Sequence, residues 1–440
     1  MSKHEVELQR QVGVFGATMM GLGSILGTGI FVSIGIAAGV TGPSVVLAIA
    51  VAAVVAACNG LSSAQLAANH PVSGGTYEYG YRWLNPTLGF TAGWMFLCAK
   101  SASAATAALG LAGYAHHALG SQQTQWITPL AFATVVCLTL LVLTGIKRSN
   151  QANLVIVSIT LLSLLTFVIA GFPQAVANGF EPWQPFFSTT QLSQPSSPAR
   201  PLAGFLEACA LMFVAYTGYG RIATLGEEIH EPRRNIPIAI INTLVASMVL
   251  YLAVSFVAIG SSDVNTLAEA TRQQAAPLEV VALGFNFPVV GQVVAVGAVT
   301  AMLGVLLNLI LGLSRVTLAM GRRGDMPSIF ARLGKASSTP YTSVILVGSI
   351  IAAITLIGNV KTTWSFSAFT VLIYYAITNL SAIRMTDEQQ LYPKFIPWCG
   401  LLSCLFLAFW VEPKIWAIGL ALIVAGLVFQ RVARRFNGNA

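Results

Sequence analysis

Charged residues are scarce in this 440-residue sequence, at 9% against about 25% for an ordinary soluble domain. Hydrophobic residues make up 55%, glycines number 40, and the mean hydropathy is +0.75. A water-soluble fold of this length needs far more polar surface than so few charges supply. The composition therefore excludes a soluble enzyme, a disordered chain and a nucleic-acid binder, and it indicates a polytopic membrane protein.

Motifs for disulfides, metal sites, catalysis and secretion are also absent from the sequence. The 6 cysteines lie in apolar segments without a CxxC pair, which argues against a disulfide framework or a zinc site. The sequence contains no HExxH, Walker or GxSxG pattern, so we expect no enzyme, metal site or cofactor. Residues 1–11 are polar and the apolar stretch after them is too long for a cleavable signal peptide. Without an ATP-binding module, uphill work would need an ion or exchange gradient.

The apolar segments predict twelve membrane-spanning helices, because each span needs about 20 apolar residues. Segments one, three and eight exceed a simple span, which predicts tilt or a break. The predicted segments are 12–39, 43–68, 87–118, 126–146, 153–172, 202–226, 237–260, 288–320, 342–358, 362–384, 395–411 and 414–431.

The positive charges predict the orientation. If the N-terminus is cytoplasmic, most Lys and Arg fall on the inner side, and the outer side keeps only Arg200, Arg272, Lys361 and Lys414. The net charge of +8 is then a topology signal, and both termini are expected in the cytoplasm at the plasma (inner) membrane. The expected divisions are a cytoplasmic N-terminus (1–11), a first repeat (12–172), an extracytoplasmic loop (173–201), a second repeat (202–384), two last helices (385–431) and a cytoplasmic C-terminus (432–440).

Two segments carry glycines too dense for an unbroken helix. Segment one reads GSILGTGIF around Gly27, and segment six, five segments later, reads AYTGYG around Gly218. Glycine-interrupted spans at corresponding positions of two halves are typical of a transporter site. A dinucleotide fingerprint needs a preceding strand that is absent here, whereas a small-xxx-small packing face remains an alternative or an addition. Free amides at such breaks attract a carboxylate, and freed carbonyls accept from an ammonium.

Three stretches carry a family resemblance: GSILGTGIF, PVSGGTYEYGYRWLNPTLGFTAGW and FVAYTGYGRIATLGEEIHEPRRNIPIAI. They resemble the amino acid–polyamine–organocation superfamily, nearest to its cationic-amino-acid-transporter-like branch, and SRVTLAMGRRGDMP is similar to the stretch ending segment eight in that family. The resemblance implies an all-α integral membrane fold, a five-plus-five inverted repeat with broken helices one and six plus two C-terminal helices. It also implies secondary-active transport of L-amino acids by alternating access.

The resemblance also implies a substrate site at the two breaks. Backbone amides and the Thr28 hydroxyl would hold the carboxylate, carbonyls of segment six would take the ammonium, and Tyr216 or Tyr219 would close over the substrate. Ordinary helix packing is the alternative for both tyrosines. The implied substrate-binding residues are Ile25, Gly27, Thr28, Gly29, Phe213, Val214, Ala215, Tyr216, Gly218 and Tyr219.

Ion coupling departs from the family pattern. Thr160 stands where some relatives carry a lysine, so coupling to protons or sodium stays open. Lys100 and Glu207 lie at membrane depth, where charges are costly and usually face a cavity or a partner. We hypothesise that Lys100 titrates or forms an ion pair during transport, with Glu207 as a possible partner. A fixed structural bond for Lys100 and snorkelling for Glu207 are the alternatives.

Mixed charges in the inner loops predict a gate, with a solvated loop as the alternative. The predicted gate residues are Glu78, Arg82, Glu227, Glu228, Arg233 and Arg234.

A polyamine or amine exchanger of the same fold is a rival function, although a polyamine has no carboxylate for the Thr28–Gly29 break. A non-transporting amino acid sensor is another rival, but it should carry a large cytoplasmic domain. The expected partners are a small amino acid, the lipid bilayer, and a proton or sodium, whereas the oligomeric state is open.

Overall fold

The chain is 84% helical, as membrane hydrocarbon requires, because a helix satisfies its backbone polar groups within one segment. The computed structural model describes residues 12–72, 74–120, 123–145, 150–188, 201–224, 229–287, 289–333 and 339–437. These residues contain no strand; their one extended pairing is a parallel bridge between Val12 and Ile229, where His230 N donates to Val12 O at 3.0 Å.

The helices of the first part of the chain follow the apolar segments. The first segment is interrupted, and a short helix precedes the third. The helices are α1 (Val14–Ile25), α2 (Thr28–Phe31), α3 (Ser33–Thr41), α4 (Val45–Asn69), α5 (Thr76–Trp83), α6 (Pro86–Ala118), α7 (Ile127–Leu143) and α8 (Asn150–Ala177).

The second half of the chain also begins with an interrupted helix, and it contains two short connecting helices, α12 and α13. Its helices are α9 (Pro201–Tyr216), α10 (Gly220–Thr224), α11 (Pro232–Gly260), α12 (Val264–Gln274), α13 (Pro277–Leu283), α14 (Val289–Arg322), α15 (Tyr341–Thr355), α16 (Val360–Ile383), α17 (Phe395–Ala408) and α18 (Pro413–Asn437).

Nine helical stretches of the described residues are long and apolar enough to cross a membrane, which confirms the prediction of an all-helical integral membrane protein. One of them, Thr28–Asn69, is 42 residues long and is interrupted between α3 and α4 at Gly42, whose φ of +72° lies in the region that favours glycine. Helices α1, α15 and α17 are apolar but shorter. Large hydrophobic side chains such as Leu140, Leu162 and Val424 are exposed on α7, α8 and α18, where they can face lipid.

Two helices run past the predicted boundaries. Helix α8 continues through Pro173 to Ala177, into the range predicted as a loop. Its last turns are held by side-chain amides, since Gln174 Nε2 donates to Ser261 O and Asn178 Nδ2 donates to Gly260 O, each at 3.0 Å. Helix α18 continues to Asn437, although residues 432–440 were expected to lie beyond the last helix.

Helix α6 is central to the bundle because it packs against both α14 and α16. Many of its buried residues are small, and Ala99 and Ala102 have no exposed surface. A Cβ added at Gly110 would lie 2.8 Å from Met302 Sδ, so glycine is what allows α14 to approach there. Small residues permit such close helix contacts in membranes. This packing fixes α6 beside the two interrupted helices.

Candidate functional site

A small cavity lies where the two interrupted helices meet. Its volume is about 40 Å³, room for a few water molecules, since one water needs about 10–15 Å³. Helices α6, α14 and α16 complete its wall. The lining residues are Ser24, Ile25, Thr28, Gly29, Lys100, Ser103, Val214, Ala215, Thr217, Gly218, Val305, Leu309 and Trp364.

The first break separates α1 from α2. Helix α1 ends as Leu26 N donates to Leu22 O at 2.7 Å, and α2 begins at Thr28. The first amides of a helix have no partner within it, so those of Thr28 and Gly29 are available there. The Thr28 side chain is only 4% exposed, and its Oγ1 has no hydrogen-bond partner among the described residues. A buried hydroxyl without a partner is costly unless a ligand meets it.

The second break is a 3₁₀ turn, Thr217–Tyr219, between α9 and α10. A Cβ added at Gly218 would lie 2.5 Å from the carbonyl carbon and oxygen of Ser24. Only glycine therefore lets the backbones of the two breaks come together. Both interruptions occur where the glycine patterns predict them.

Hydroxyl groups already occupy several carbonyls that the breaks free. Tyr251 Oη, on α11, lies 3.0 Å from both Ile25 O and Ala215 O, and its single O–H proton is shared between the two carbonyls. Tyr375 Oη donates to Thr217 O at 3.2 Å, and Thr217 Oγ1 donates to Val214 O at 2.8 Å. Tyr251 joins the two breaks and was not predicted from the sequence, where a lone tyrosine in an apolar helix was the only signal.

Lys100 extends from α6 to the second break. Its Nζ donates to Thr217 Oγ1 at 2.8 Å, and the residue lines the cavity together with Thr28. None of the described residues that line the cavity is acidic. The hypothetical partner Glu207 instead lies 3.8 Å from Lys361 Nζ, which also contacts Glu412 at 2.9 Å. Lys100 and Glu207 are thus paired with different groups rather than with each other.

Some predicted substrate residues are away from the cavity wall. The Phe213 ring packs against Tyr375 with centroids 5.6 Å apart, and the Tyr219 ring packs against Tyr375 at 5.5 Å. Tyr216 packs against Tyr251 at 5.1 Å. A Cβ added at Gly27 would lie 2.6 Å from Val305 Cγ2, so this glycine permits close packing of the first break on α14. In this arrangement neither Tyr216 nor Tyr219 is part of the cavity wall.

The other ion-coupling candidate, Thr160, is buried in α8. Its Oγ1 donates to Ile156 O at 2.8 Å, within its own helix. The cavity wall does not include it. Thr160 therefore has a structural bond in this arrangement.

The predicted gate pairs are arranged differently. Glu78 Oε2 lies 2.6 Å from Arg323 Nη2, whereas Arg82 Nη1 lies 2.7 Å from His70 Nδ1. Burial raises the pKa of Glu78, more than Arg323 lowers it. Arg233 is exposed, and Arg234 is exposed and makes a 3.8 Å contact with Glu231. Glu227 and Glu228 lie outside the described residues. Glu78 therefore pairs with an arginine that follows α14, whereas Arg82 contacts His70, and the gate role of both residues stays a prediction.

A buried carboxylate that the sequence analysis did not single out lies beside this pair. Asp325 has no exposed surface and accepts hydrogen bonds from Tyr77 and Tyr81 of α5 and from Gln430 and Arg434 of α18. Tyr77 Oη lies 2.8 Å and Arg434 Nη2 lies 2.9 Å from the carboxylate. We call these five residues the Asp325 cluster. It joins α5 and α18 to the end of α14, in the stretch MGRRGDMP that carries part of the family resemblance.

A second cavity, of about 620 Å³, lies between α6, α14, α15, α16 and α18. Its described lining contains no charged residue, and the Thr317 hydroxyl on its wall donates within its own helix, to Leu313 O at 2.9 Å. The smaller cavity is therefore the better candidate for a polar solute, because buried ligand sites need a few convergent polar groups.

Two interrupted membrane helices around a cavity lined by an unpartnered hydroxyl are typical of a membrane transporter. Residues 16–437 match the family model described as amino acid permease, and the chain belongs to this family. The resemblance to the amino acid–polyamine–organocation superfamily is thereby confirmed.

The relatives are transporters. An uncharacterized transporter of Mycobacterium tuberculosis is 36% identical over 97% of this chain and 92% of its own length. The methylthioribose transporter of Bacillus subtilis is 27% identical, over 98% and 95%. The branched-chain amino acid permease BcaP of the same organism is 27% identical, over 92% and 88%. The protein is a multi-pass membrane transporter.

Proposed function

We propose that this permease is a secondary-active transporter of L-amino acids that works by alternating access. The observation that carries the proposal is the Thr28 hydroxyl, buried without a partner beside the first amides of α2 at the cavity. These groups together offer hydrogen-bond donors to a carboxylate. A substrate carboxylate would supply the missing partner of Thr28.

The ammonium end of the substrate is proposed to lie against the second break. Carbonyl oxygens have two lone pairs, so Val214 O and Ala215 O can accept a second bond beside those from Thr217 and Tyr251. These two oxygens can accept fewer further hydrogen bonds than carbonyl oxygens that have no partner. Recognition of the ammonium is therefore expected to be weaker than recognition of the carboxylate.

The size of the cavity supports a cycle of conformations. At about 40 Å³ it holds a few waters and not an amino acid, so the substrate requires the walls to separate. We propose that segments one and six move relative to α6 and α14 to open the site to one side at a time. Such rearrangement of gating elements around a fixed site is how repeat-based transporters achieve alternating access.

The architecture proposed with this function is twelve membrane-spanning helices: two inverted five-helix repeats (12–172 and 202–384) followed by two further helices. The matching interruptions, α1/α2 and α9/α10, support the repeat. The excess of Lys and Arg on one side supports cytoplasmic termini. Coupling to a proton or to sodium is part of the proposal, with Lys100, Thr160 and Glu207 as the candidate residues.

The test is counterflow of labelled amino acids in proteoliposomes, with and without sodium and with an imposed pH step. Thr28→Ala is expected to slow exchange about tenfold, as expected for loss of one hydrogen bond to a charged group, while Thr28→Ser keeps the donor and most of the rate. Thr134→Ala is the matched control, because the exposed Thr134 hydroxyl on α7 donates only to Leu130 O. Exchange of no amino acid, or equal rates for Thr28→Ala and wild type, contradicts the proposal. A polyamine in the panel tests the rival exchanger.

A further inference from the structure

A lysine occupies the end of the site where an amino acid's own ammonium is expected. Lys100 Nζ lies 2.8 Å from Thr217 Oγ1, and that hydroxyl donates to Val214 O, one of the carbonyls proposed for the substrate ammonium. Lysine carries a positive charge at neutral pH in its ordinary state. With the substrate ammonium bound at the same carbonyls, two positive charges meet at this end of the cavity, and an anion is needed to balance them.

The one ionisable side chain among the described residues that line the cavity is Lys100. The first amides of α2, beside Thr28 and Gly29, present partial positive charge, and Lys100 adds a full one. Lys100 forms no salt bridge with any carboxylate in the described parts of the chain. A charge at membrane depth usually has an opposite charge or a ligand beside it. The missing anion is one that a substrate can bring.

Resting on the proposed function, we infer that the site selects amino acids with a carboxylate side chain, and that Lys100 is the residue that determines this specificity. One substrate carboxylate meets Thr28 and the α2 amides, and the other meets Lys100 in a charge-assisted hydrogen bond. A cationic side chain would add a like charge beside Lys100 in a region of low dielectric. A neutral side chain would leave the lysine charge without an anion.

The remaining wall favours short acidic side chains. Val305, Leu309 and Trp364 are large and apolar, and Trp364 is held in place because its Nε1 donates to Leu211 O at 2.9 Å. The cavity therefore cannot widen at Trp364 without breaking that bond. Aspartate and glutamate are the test substrates for this class.

The experiment is proteoliposome counterflow with aspartate, glutamate, alanine, leucine and lysine at neutral pH. In the wild type the acidic amino acids should exchange fastest and lysine slowest. Lys100→Gln should lower the ratio of acidic to neutral exchange by about tenfold or more, because one charged hydrogen bond is lost, and Lys100→Arg should restore much of it. Lys414→Gln is the matched control: it removes an exposed lysine at the start of α18, away from the cavity, and should leave the ratio unchanged.

The outcomes separate the inference from the function. If no amino acid exchanges, the proposed transport function fails. If neutral or cationic amino acids exchange faster than acidic ones in the wild type, or if Lys100→Gln exchanges with an unchanged ratio, the specificity inference is overturned while transport stands. If Lys100→Gln does not fold, two measurements on the wild type test the inference without it. They are the ranking of exchange rates among the amino acids and the inhibition of labelled aspartate exchange by unlabelled leucine and lysine.

Discussion

Replacing Tyr251 by phenylalanine should weaken the junction of the two interrupted helices. Its hydroxyl is the one described group that donates to both breaks, to Ile25 O and to Ala215 O. The phenyl ring of the variant keeps the packing against Tyr216, which has centroids 5.1 Å apart. The change therefore removes this shared hydrogen-bond donor and little else.

The expected loss of stability follows from this shared contact. Each carbonyl oxygen lies 3.0 Å from Tyr251 Oη, at the long end of the usual O–H···O range, as expected when one proton serves two acceptors. Interhelical hydrogen bonds in membranes contribute about 0.6 kcal/mol on average and up to about 1.7 kcal/mol. Losing this shared donor should lower the free energy of unfolding by about 0.6–1.7 kcal/mol. Exchange should slow as well, because the relative position of Thr28 and Thr217 is no longer fixed.

Unfolding of the purified protein in mixed micelles with rising dodecyl sulfate measures the stability, and counterflow measures the exchange. Tyr216→Phe is a matched control, since the Tyr216 hydroxyl lies 3.4 Å from Ile49 O, at the long limit of a hydrogen bond. Tyr216→Phe should lower the free energy of unfolding by less than about 0.5 kcal/mol. A loss in Tyr251→Phe no larger than in Tyr216→Phe would refute the reasoning.

Three further changes test other contacts. Gly29→Ala should destabilise the protein by about 1–3 kcal/mol and slow exchange, because the Cβ of the new alanine would lie 2.6 Å from Tyr251 Oη. Gly312→Ala is the control and should be nearly neutral, because the space around Gly312 is open. Asp325→Asn should lower the free energy of unfolding by about 1–3 kcal/mol in the same assay, a value that already allows for the solvent around Arg434. An unchanged free energy of unfolding would show that the Asp325 cluster does not hold α18. The pKa of Glu78 is raised above 4.5, so the folded protein keeps a proton that the unfolded chain loses, and stability should fall as pH rises from 4.5 through the raised pKa. Glu78→Gln should flatten that part of the stability curve, and a parallel curve would contradict it.

The helices and both breaks could be predicted because their signals are local. About 20 apolar residues indicate a span, and clustered glycines such as Gly27 and Gly29 indicate an interruption. The boundaries failed where a distant group acts. Pro173 suggested a helix end, but Gln174 and Asn178 bind the end of α11 and keep α8 helical.

The pairing of side chains was harder to predict because it depends on how distant helices meet. Glu78 and Arg82 are four residues apart, a spacing that often gives an ion pair on a helix. The end of α14 brings Arg323 closer, and its guanidinium also lies 4.1 Å from the Tyr81 ring centroid. Nothing in the sequence around Glu78 indicates that approach.

The same limit applies to the candidate site. Lys100 was notable as a charge within an apolar span, but its neighbour Thr217 is on another helix far along the chain. Tyr251 was one aromatic residue among many apolar ones. Gly218 was predicted to interrupt a helix, whereas its contact with Ser24 depends on how the two breaks cross. Local patterns predicted where the backbone opens, and tertiary packing decides which groups meet there.

The short pairing of Val12 with Ile229 has a mechanical consequence. Both side chains are buried, and one backbone hydrogen bond of 3.0 Å joins the residue before α1 to the chain that follows α10. A bond of this kind contributes about 1 kcal/mol, which biases two arrangements only about fivefold. Burial of the Val12 and Ile229 side chains contributes about 1.5–3 kcal/mol each, which is more than the hydrogen bond. The two interrupted helices are thus joined at their middle, by Tyr251, and again at this end, so a movement that opens this end must first separate Val12 from Ile229.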